Sequence, residues 1–348
     1  MPSAPATGVH FVGSIPLSTT DEVLTTLCQA LPNQVATIPD GETGPRANYI
    51  VWERERFPKE TIQYLLGGIS PPDDHLRKFT LDDVKPTLYA EAAIQSYQRF
   101  RALRSKGVIP PGVRFQVALP LPYDCIQAHI RAEWQAQIEP LYEKRMFDAL
   151  DAIVDAIPAE DLAIQIDTAL AVMALEYAQG RLCDALFKPH FSPIRPGLVD
   201  RLRRFCARVP DRVPFGLHLC YGDMFHYHFI QPRDLGLMVD FASDLARVIR
   251  PRALSWVHMP VPKDRDDEGY FRALGRLDVG SGAKVYLGLV HAGDEQGTRR
   301  RIQAAQAFTN DFGVATECGM GRTPTDEFHG ILRIMRNVTG HERLPGKL

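Results

Sequence analysis

His218 and Cys220 are separated by one residue in His218-Leu219-Cys220, and a third soft donor, Cys318, stands in Glu317-Cys318-Gly319. Both segments follow apolar, strand-like runs, Val213 to Leu217 and Phe312 to Thr316, so the sequence places both donor sets at strand ends. On a strand, residues i and i+2 point to the same face, which lets the imidazole and thiolate of an H-x-C converge on one ion. One nitrogen and two sulfurs suit zinc, and a site with few protein ligands leaves a position open for substrate. Each residue taken singly also has an ordinary reading: a cysteine as a small buried hydrophobe, a strand-end histidine as a hydrogen-bonded structural group. His226 and His228 form a second pair two residues apart, but they sit in loop-like sequence and no further donor pairs with them by spacing.

The elements that must carry these residues recur along the chain. Eight apolar, β-rich runs are expected as strands: His10 to Ser14, Gln34 to Ile38, Val113 to Leu119, Leu162 to Asp167, Val213 to Cys220, Ala253 to His258, Lys284 to His291 and Phe312 to Cys318. Between them, helical spacing is clearest at Asp21 to Leu31, Thr87 to Leu103, Glu139 to Ala156, Leu198 to Arg208, Asp234 to Val248 and Arg299 to Asn310. Val239, Ala242, Leu245 and Val248, for example, fall on one stripe, as an amphipathic helix requires. Strand–helix alternation predicts a parallel sheet covered by helices, and eight units predict an α/β fold of the closed (β/α)8 barrel type. A single domain over 1–348 is expected, with a short Pro/Ala/Ser tail at 1–8 and an insertion at 43–111 between the second and third strands. Within that insertion, Gly67 to Asp74 reads as a surface loop suited to a lid.

In such a barrel the C-terminal strand ends gather on one face, where active sites form. Seven of the eight expected strands end in, or are followed by, a polar group: Ser14, Asp40 with Glu42, Asp167, His218 with Cys220, His258, His291 and Cys318. Core packing does not explain that clustering, although Asp167 alone is also consistent with a helix cap. Composition narrows the partners. With 45% apolar and 24% charged residues and a formal net charge of −2, the chain has no global field for nucleic acid or an anionic membrane. No run approaches the ~18 apolar residues of a spanning helix, and the first residues lack the basic start and apolar core of a secretory signal. The six cysteines are scattered without paired spacing, so they read as reduced thiols and the cytoplasm as the expected location.

Six short segments, in order along the chain, resemble the cobalamin-independent methionine synthase family, specifically its catalytic C-terminal barrel and its single-barrel members. They are Val12-Gly13-Ser14-Ile15-Pro16, Asp40-Gly41-Glu42 with Arg46, Ile164-Gln165-Ile166-Asp167, His218-Leu219-Cys220-Tyr221, Leu289-Val290-His291 and Glu317-Cys318-Gly319. The resemblance implies a Zn2+ site at His218, Cys220 and Cys318, with His258 in the place where the family has a fourth ligand, a glutamate. It implies that Ser14, Glu42 and Asp167, with Arg46 nearby, hold the amino-acid part of homocysteine. His291 takes the place of the histidine that handles protons in methyl transfer. The family's Glu-Pro after the aspartate is Thr168-Ala169 here, and its Gly-Pro on the third strand is Leu119-Pro120-Leu121-Pro122, so folate binding is not implied.

The expected chemistry is therefore zinc-dependent transfer of a methyl or alkyl group from an alkyl donor to a small-molecule thiol, with an amino-acid acceptor. A second reading keeps the metal and changes the reaction: a lyase or hydrolase on a small metabolite, motivated by His258 standing in place of a carboxylate. A third is metal-free, a barrel related to the uroporphyrinogen decarboxylase branch or a binding protein with incidental cysteines.

Overall fold

In the computed structural model the described residues are 6–63, 77–222 and 227–340. Seven parallel strands form one sheet in sequence order: β1 (Thr37–Pro39), β2 (Arg114–Pro120), β3 (Leu162–Thr168), β4 (Phe215–Leu219), β5 (Trp256–Pro260), β6 (Lys284–Gly288) and β7 (Phe312–Val314). Ten helices accompany them among the described residues: α1 (Thr20–Ala30), α2 (Tyr89–Ser105), α3 (Pro122–His129), α4 (Ala132–Ala156), α5 (Leu170–Ala178), α6 (Ile194–Cys206), α7 (Gly236–Val248), α8 (Glu268–Phe271), α9 (Glu295–Gln306) and α10 (Thr325–Val338). Parallel strands need crossover connections, and helices supply the apolar faces that cover a sheet of this kind. Of the stripe expected in α7, Val239, Ala242 and Leu245 are buried, whereas Val248, in the last turn, is exposed; Met238 and Phe241 are buried beside the stripe.

The sequence predicts eight regular strands, and seven are present among the described residues. The segment expected first, His10 to Ser14, forms no strand. Instead Val9 is bridged in parallel to Val35 on one side and to Val314 on the other. The amide of Val9 donates to the Gln34 carbonyl at 2.8 Å, and that of His10 to the Val314 carbonyl at 3.0 Å. Sheet pairing therefore begins earlier than the apolar run suggests. Ala6, bridged to Thr339, and Thr7, whose amide reaches the Phe312 carbonyl at 2.9 Å, also tie the expected tail down from residue 6 onward. The lid expected at Gly67 to Asp74 lies outside the described residues. In the rest of the 43–111 segment the helix expected at Thr87 to Leu103 is present as the 17-residue α2, which lies between β1 and β2 in the chain.

Large and small side chains alternate inside the curled sheet. A Cβ on Gly216 of β4 would lie 1.9 Å from the Trp256 indole, and one on Gly313 of β7 would lie 2.5 Å from the Tyr286 ring. Two bulky rings on β5 and β6 thus fill space left by two glycines, and Ala163 of β3 completes this apolar layer. Close to it lies a polar network centred on Gln165. Its amide oxygen accepts from His10 Nε2 at 2.7 Å and Trp256 Nε1 at 3.3 Å, while its Nε2 donates to the Val12 carbonyl at 2.7 Å and to Asp167 at 2.8 Å. This amide ties the irregular first segment to β3.

The cap reading of Asp167 is corrected by the structure, because Asp124 caps the helix that follows β3. The Asp124 carboxylate accepts from the amides of Ala169, of Leu170 at 2.9 Å and of Ala171 at 3.0 Å. Asp124 is fully buried on α3, and burial pushes its carboxyl up to about 7 despite those three donors. Asp167 is thereby freed to point elsewhere. Replacing Asp124 with Ala strands three amides, so at pH 8 the unfolding free energy is expected to fall by ~2 kcal/mol or more. Urea denaturation measures this, and a loss under ~0.5 kcal/mol, the size of an ordinary surface change, would contradict the assignment.

Candidate metal and substrate site

The strand register sets out the centre of the site. Asp167 of β3 pairs with His218 of β4, and His218 pairs with His258 of β5. Aligned residues of neighbouring parallel strands share a face, so one row of the sheet holds a carboxylate and two imidazoles side by side. All three are buried, at 6%, 2% and 0% exposure. Cys220 follows β4 directly, two residues beyond His218, and its amide is held by the Thr168 carbonyl at 3.0 Å.

Cys318 comes from farther away than the sequence suggests. β7 ends at Val314, so Cys318 sits in a loop and not at a strand end. Close backbone contacts bring that loop inward. A Cβ on Gly288, the last residue of β6, would lie 2.8 Å from Glu317 Cα, and one on Gly319 would lie 2.3 Å from Ser14 Oγ. The Ser14 carbonyl accepts from the Met320 amide at 2.7 Å, and its hydroxyl accepts from the Gly321 amide at 3.2 Å. Only glycines permit such approach.

Donor atoms of His218, Cys220 and Cys318 all lie within 4.8 Å of one another. The two sulfurs are 3.6 Å apart. That is far beyond the ~2.05 Å of a disulfide and close to the ~3.8 Å that two ~2.3 Å zinc–sulfur bonds give at a tetrahedral angle. A thiol-to-thiol hydrogen bond accounts for the distance equally well, but not for the convergent imidazole. Burial pushes His218 down to about 3, which keeps it neutral as a metal ligand must be.

His258 stands outside this group of three. Its Nδ1 lies 2.7 Å from His218 Nδ1, and its Nε2 lies 2.9 Å from the Thr316 carbonyl oxygen. Both nitrogens thus have partners within the protein, and the donors that converge are those of His218, Cys220 and Cys318 without His258. His226 lies outside the described residues, and His228 Nε2 faces Glu317 Oε1 at 3.4 Å and is not one of the three converging donors.

A second cluster adjoins the row at Asp167. Gly41 and Glu42 both adopt left-handed backbone, at φ 83° and 49°. For glutamate that conformation costs ~1 kcal/mol, and such residues tend to mark functional sites. The turn aims the Glu42 carboxylate at Gly13, where a Cβ would meet its oxygen at 2.9 Å. Glu42 and Asp167 line one cavity together with Asp40, Arg46, Tyr49, Trp52 and Tyr89. Arg46 pairs with Asp40 at 2.6 Å while lining the cavity, and Asp40 in turn accepts from the Glu42 amide at 2.9 Å, so the pair orders the Glu42 turn. Burial, and then the neighbouring Asp40, pushes Glu42 up to about 7, with Arg46 opposing. Burial, and then Glu42, holds Asp167 well above the usual carboxylate range, with the Gln165 hydrogen bond opposing. Two such carboxyls facing one cavity repel one another when ionised, a cost that a cation placed between them would relieve.

His291 lies three residues beyond β6. Its Nε2 donates to the Val261 carbonyl at 2.9 Å, and its Nδ1 faces Glu317 Oε2 at 3.8 Å. Burial, reinforced by the Arg301 charge, pushes it down to about 4, so at neutral pH the ring is neutral and Nδ1 carries a lone pair. Asp124, Gln165, Thr316 and Glu317 are part of this architecture, yet sequence reasoning singled out none of them for a role. Their function comes through tertiary contacts, although Gln165 and Glu317 sit inside motifs already noted.

No protein-family profile matches the chain. No curated protein matches it either. Among solved structures, a Listeria monocytogenes protein described as a vitamin-B12-independent methionine synthase aligns over 97% of this chain and 99% of its own, with TM-score 0.52 and 15% identity. A B12-independent methionine synthase from Shewanella sp. W3-18-1, solved in complex with selenomethionine, aligns over 96% of this chain and 95% of its own, with TM-score 0.50 and 13% identity. At these identities the likeness shows a shared fold.

The raised carboxyls give a pH dependence with a definite sign. An ammonium ligand pairs with ionised Glu42, so its affinity should rise as pH passes upward through about 7, releasing protons on binding. Calorimetric titration of a small amino-acid thiol at pH 6 and pH 8 checks this, with Asp40, Arg46 and Asp167 the other charges facing the group. Glu42→Gln should weaken binding by ~10-fold or more and flatten the dependence, as expected for loss of a charged hydrogen bond. Tighter binding at pH 6 in the wild-type protein would contradict the cation site.

Proposed function

We propose that this chain is a zinc-dependent S-alkyltransferase that moves a methyl or alkyl group to the thiol of a small amino acid of the homocysteine type. The observation that carries the reading is the convergence of His218, Cys220 and Cys318 within 4.8 Å, in the same row of strands as a carboxyl-lined cavity. One half of the site suits a thiol and the other suits an ammonium, which together describe an amino-acid thiol. The fold shared with proteins named B12-independent methionine synthases, one of them holding selenomethionine, supports the same reading. The parallel bridges from Val9 to both outer regions of the sheet support a closed ring with residues 8–10 in the eighth position.

A zinc ion held by the three donors would supply a Lewis acid with an open position, lowering the pKa of a thiol that reaches it. The remaining work falls to side chains. Glu42 and Asp167 hold the ammonium and fix the sulfur's reach, which contributes proximity. Ser14, locked between Gly319 and Gly321, sets the distance between the amino-acid cavity and Cys318. The thiol proton passes to a base, for which His291 Nδ1 is the candidate, since burial keeps that ring neutral and Val261 holds its other nitrogen. Sulfur then forms its new bond to carbon as the donor's bond to that carbon breaks, and the proton returns to the leaving group. His291 acts first as acceptor, because a group pushed down to about 4 does not store a proton at neutral pH.

Protein purified without chelator is expected to contain about one zinc per chain by elemental analysis, following the single group of three donors among the described residues. Cys220→Ser and Cys318→Ser should each remove the metal and reduce alkyl transfer at least ~100-fold, the upper end of what loss of a mere partner to a metal ligand costs. A metal-free Cys318→Ser protein with undiminished turnover would sink the proposal, and so would hydrolytic turnover of a donor without thiol alkylation.

A further inference from the structure

Hydrogen-bond logic assigns protons around His258 and His218 without reference to any ion. The Thr316 carbonyl can only accept, so the 2.9 Å contact requires a proton on His258 Nε2. A neutral imidazole with a proton on Nε2 has a bare lone pair on Nδ1. That atom lies 2.7 Å from His218 Nδ1, where two lone pairs would repel. His218 must therefore carry its proton on Nδ1 and donate it to His258. Both rings are buried, at 2% and 0% exposure, and the two contacts are satisfied by one proton on each ring. The nitrogen left with a lone pair on His218 is Nε2.

We infer that His258 is a positioning residue: it relays the polarity of the Thr316 carbonyl to His218, holds that ring as the Nδ1–H tautomer, and leaves Nε2 as the one nitrogen of His218 with a lone pair to offer alongside Cys220 and Cys318. The relay also couples the two distant parts of the site. Thr316 lies two residues before Cys318, and its hydroxyl donates to the Cys318 carbonyl at 2.8 Å. The turn that presents the third donor thus sets the tautomer of the first, and a loop placed wrongly would lose both. That the three side chains hold a metal rests on the function proposed above, whereas the tautomer assignment does not.

The test uses the full-length chain in two measurements. First, 15N NMR of the metal-free protein with labelled histidine reports the protonated nitrogen of each ring. The expected pattern is Nδ1–H for His218 and Nε2–H for His258. A protonated Nε2 on His218 would overturn the inference whether or not zinc binds. Second, zinc affinity by chelator competition is compared in wild type, His258→Gln and His258→Phe. The glutamine amide can donate to Thr316 and accept from His218, so H258Q should keep the His218 tautomer and lie within about threefold of wild-type affinity. H258F removes the acceptor and should lose the tautomer bias and weaken zinc ~10- to 100-fold, the range seen for partners of metal-ligating histidines. If H258F does not fold, H258Q decides alone. Loss of the His218 tautomer in H258Q, or X-ray absorption showing two imidazoles on zinc in wild type and one in H258Q, would show that His258 acts otherwise. Failure of wild type to bind zinc, with the tautomers as expected, would refute the metal reading and leave the relay standing.

Discussion

The site depends on the parallel register that places Asp167, His218 and His258 level with one another on three neighbouring strands. A one-residue slip in β4 would turn His218 to the opposite face of the sheet and carry Cys220 with it. The packing beneath prevents that slip. Trp256 lies against Gly216 so closely that no other residue fits there, which fixes β4 against β5 two residues from the histidine pair. Gln165 fixes β3 against residues 10–12 in the same way, by hydrogen bonds in place of shape. The apolar and amide layers therefore serve the chemistry by holding strands in phase.

Around that row, the chain accepts two kinds of local cost. Buried carboxyls at Glu42 and Asp167 repel one another, and Glu42 sits in left-handed backbone. Neither feature helps the chain fold, and a cationic ligand relieves the first. The loop bearing Cys318 is held by glycine contacts at 288 and 319 that sacrifice side-chain packing for proximity. Local penalties concentrated in one place, within an otherwise well-packed sheet, are what a binding site looks like in energetic terms.

Much of this was legible in the sequence. Strands at Val113 to Leu119, Leu162 to Asp167 and Lys284 onward, and the α7 stripe, follow from apolar periodicity, because each buries its face independently of distant partners. The H-x-C spacing puts His218 and Cys220 together by strand geometry alone. What failed to show was tertiary. The run from His10 to Ser14 looks like a strand, yet only the residues around Val9 are bridged, while Ser14 bends away toward Met320 and Gly321. The resemblance leaves open whether His258 is a fourth ligand or the metal is held by three residues, and the contacts that occupy it, to His218 Nδ1 and to the Thr316 carbonyl, have no signal in the sequence. Asp124 carried no sequence signal at all, since its three amide partners lie 45 to 47 residues onward.

His218, Cys220 and Cys318 are proposed to share one ion that accepts sulfur from a small molecule, and the coordination shell of that ion reports whether they do. Zinc-edge X-ray absorption of the metal-loaded protein, recorded with and without homocysteine, tests it most directly. The expected first shell is two sulfurs, one imidazole nitrogen and one light atom, with the light atom replaced by a third sulfur when the thiol is added. A shell without protein sulfur, or one unchanged by saturating thiol, would contradict the account.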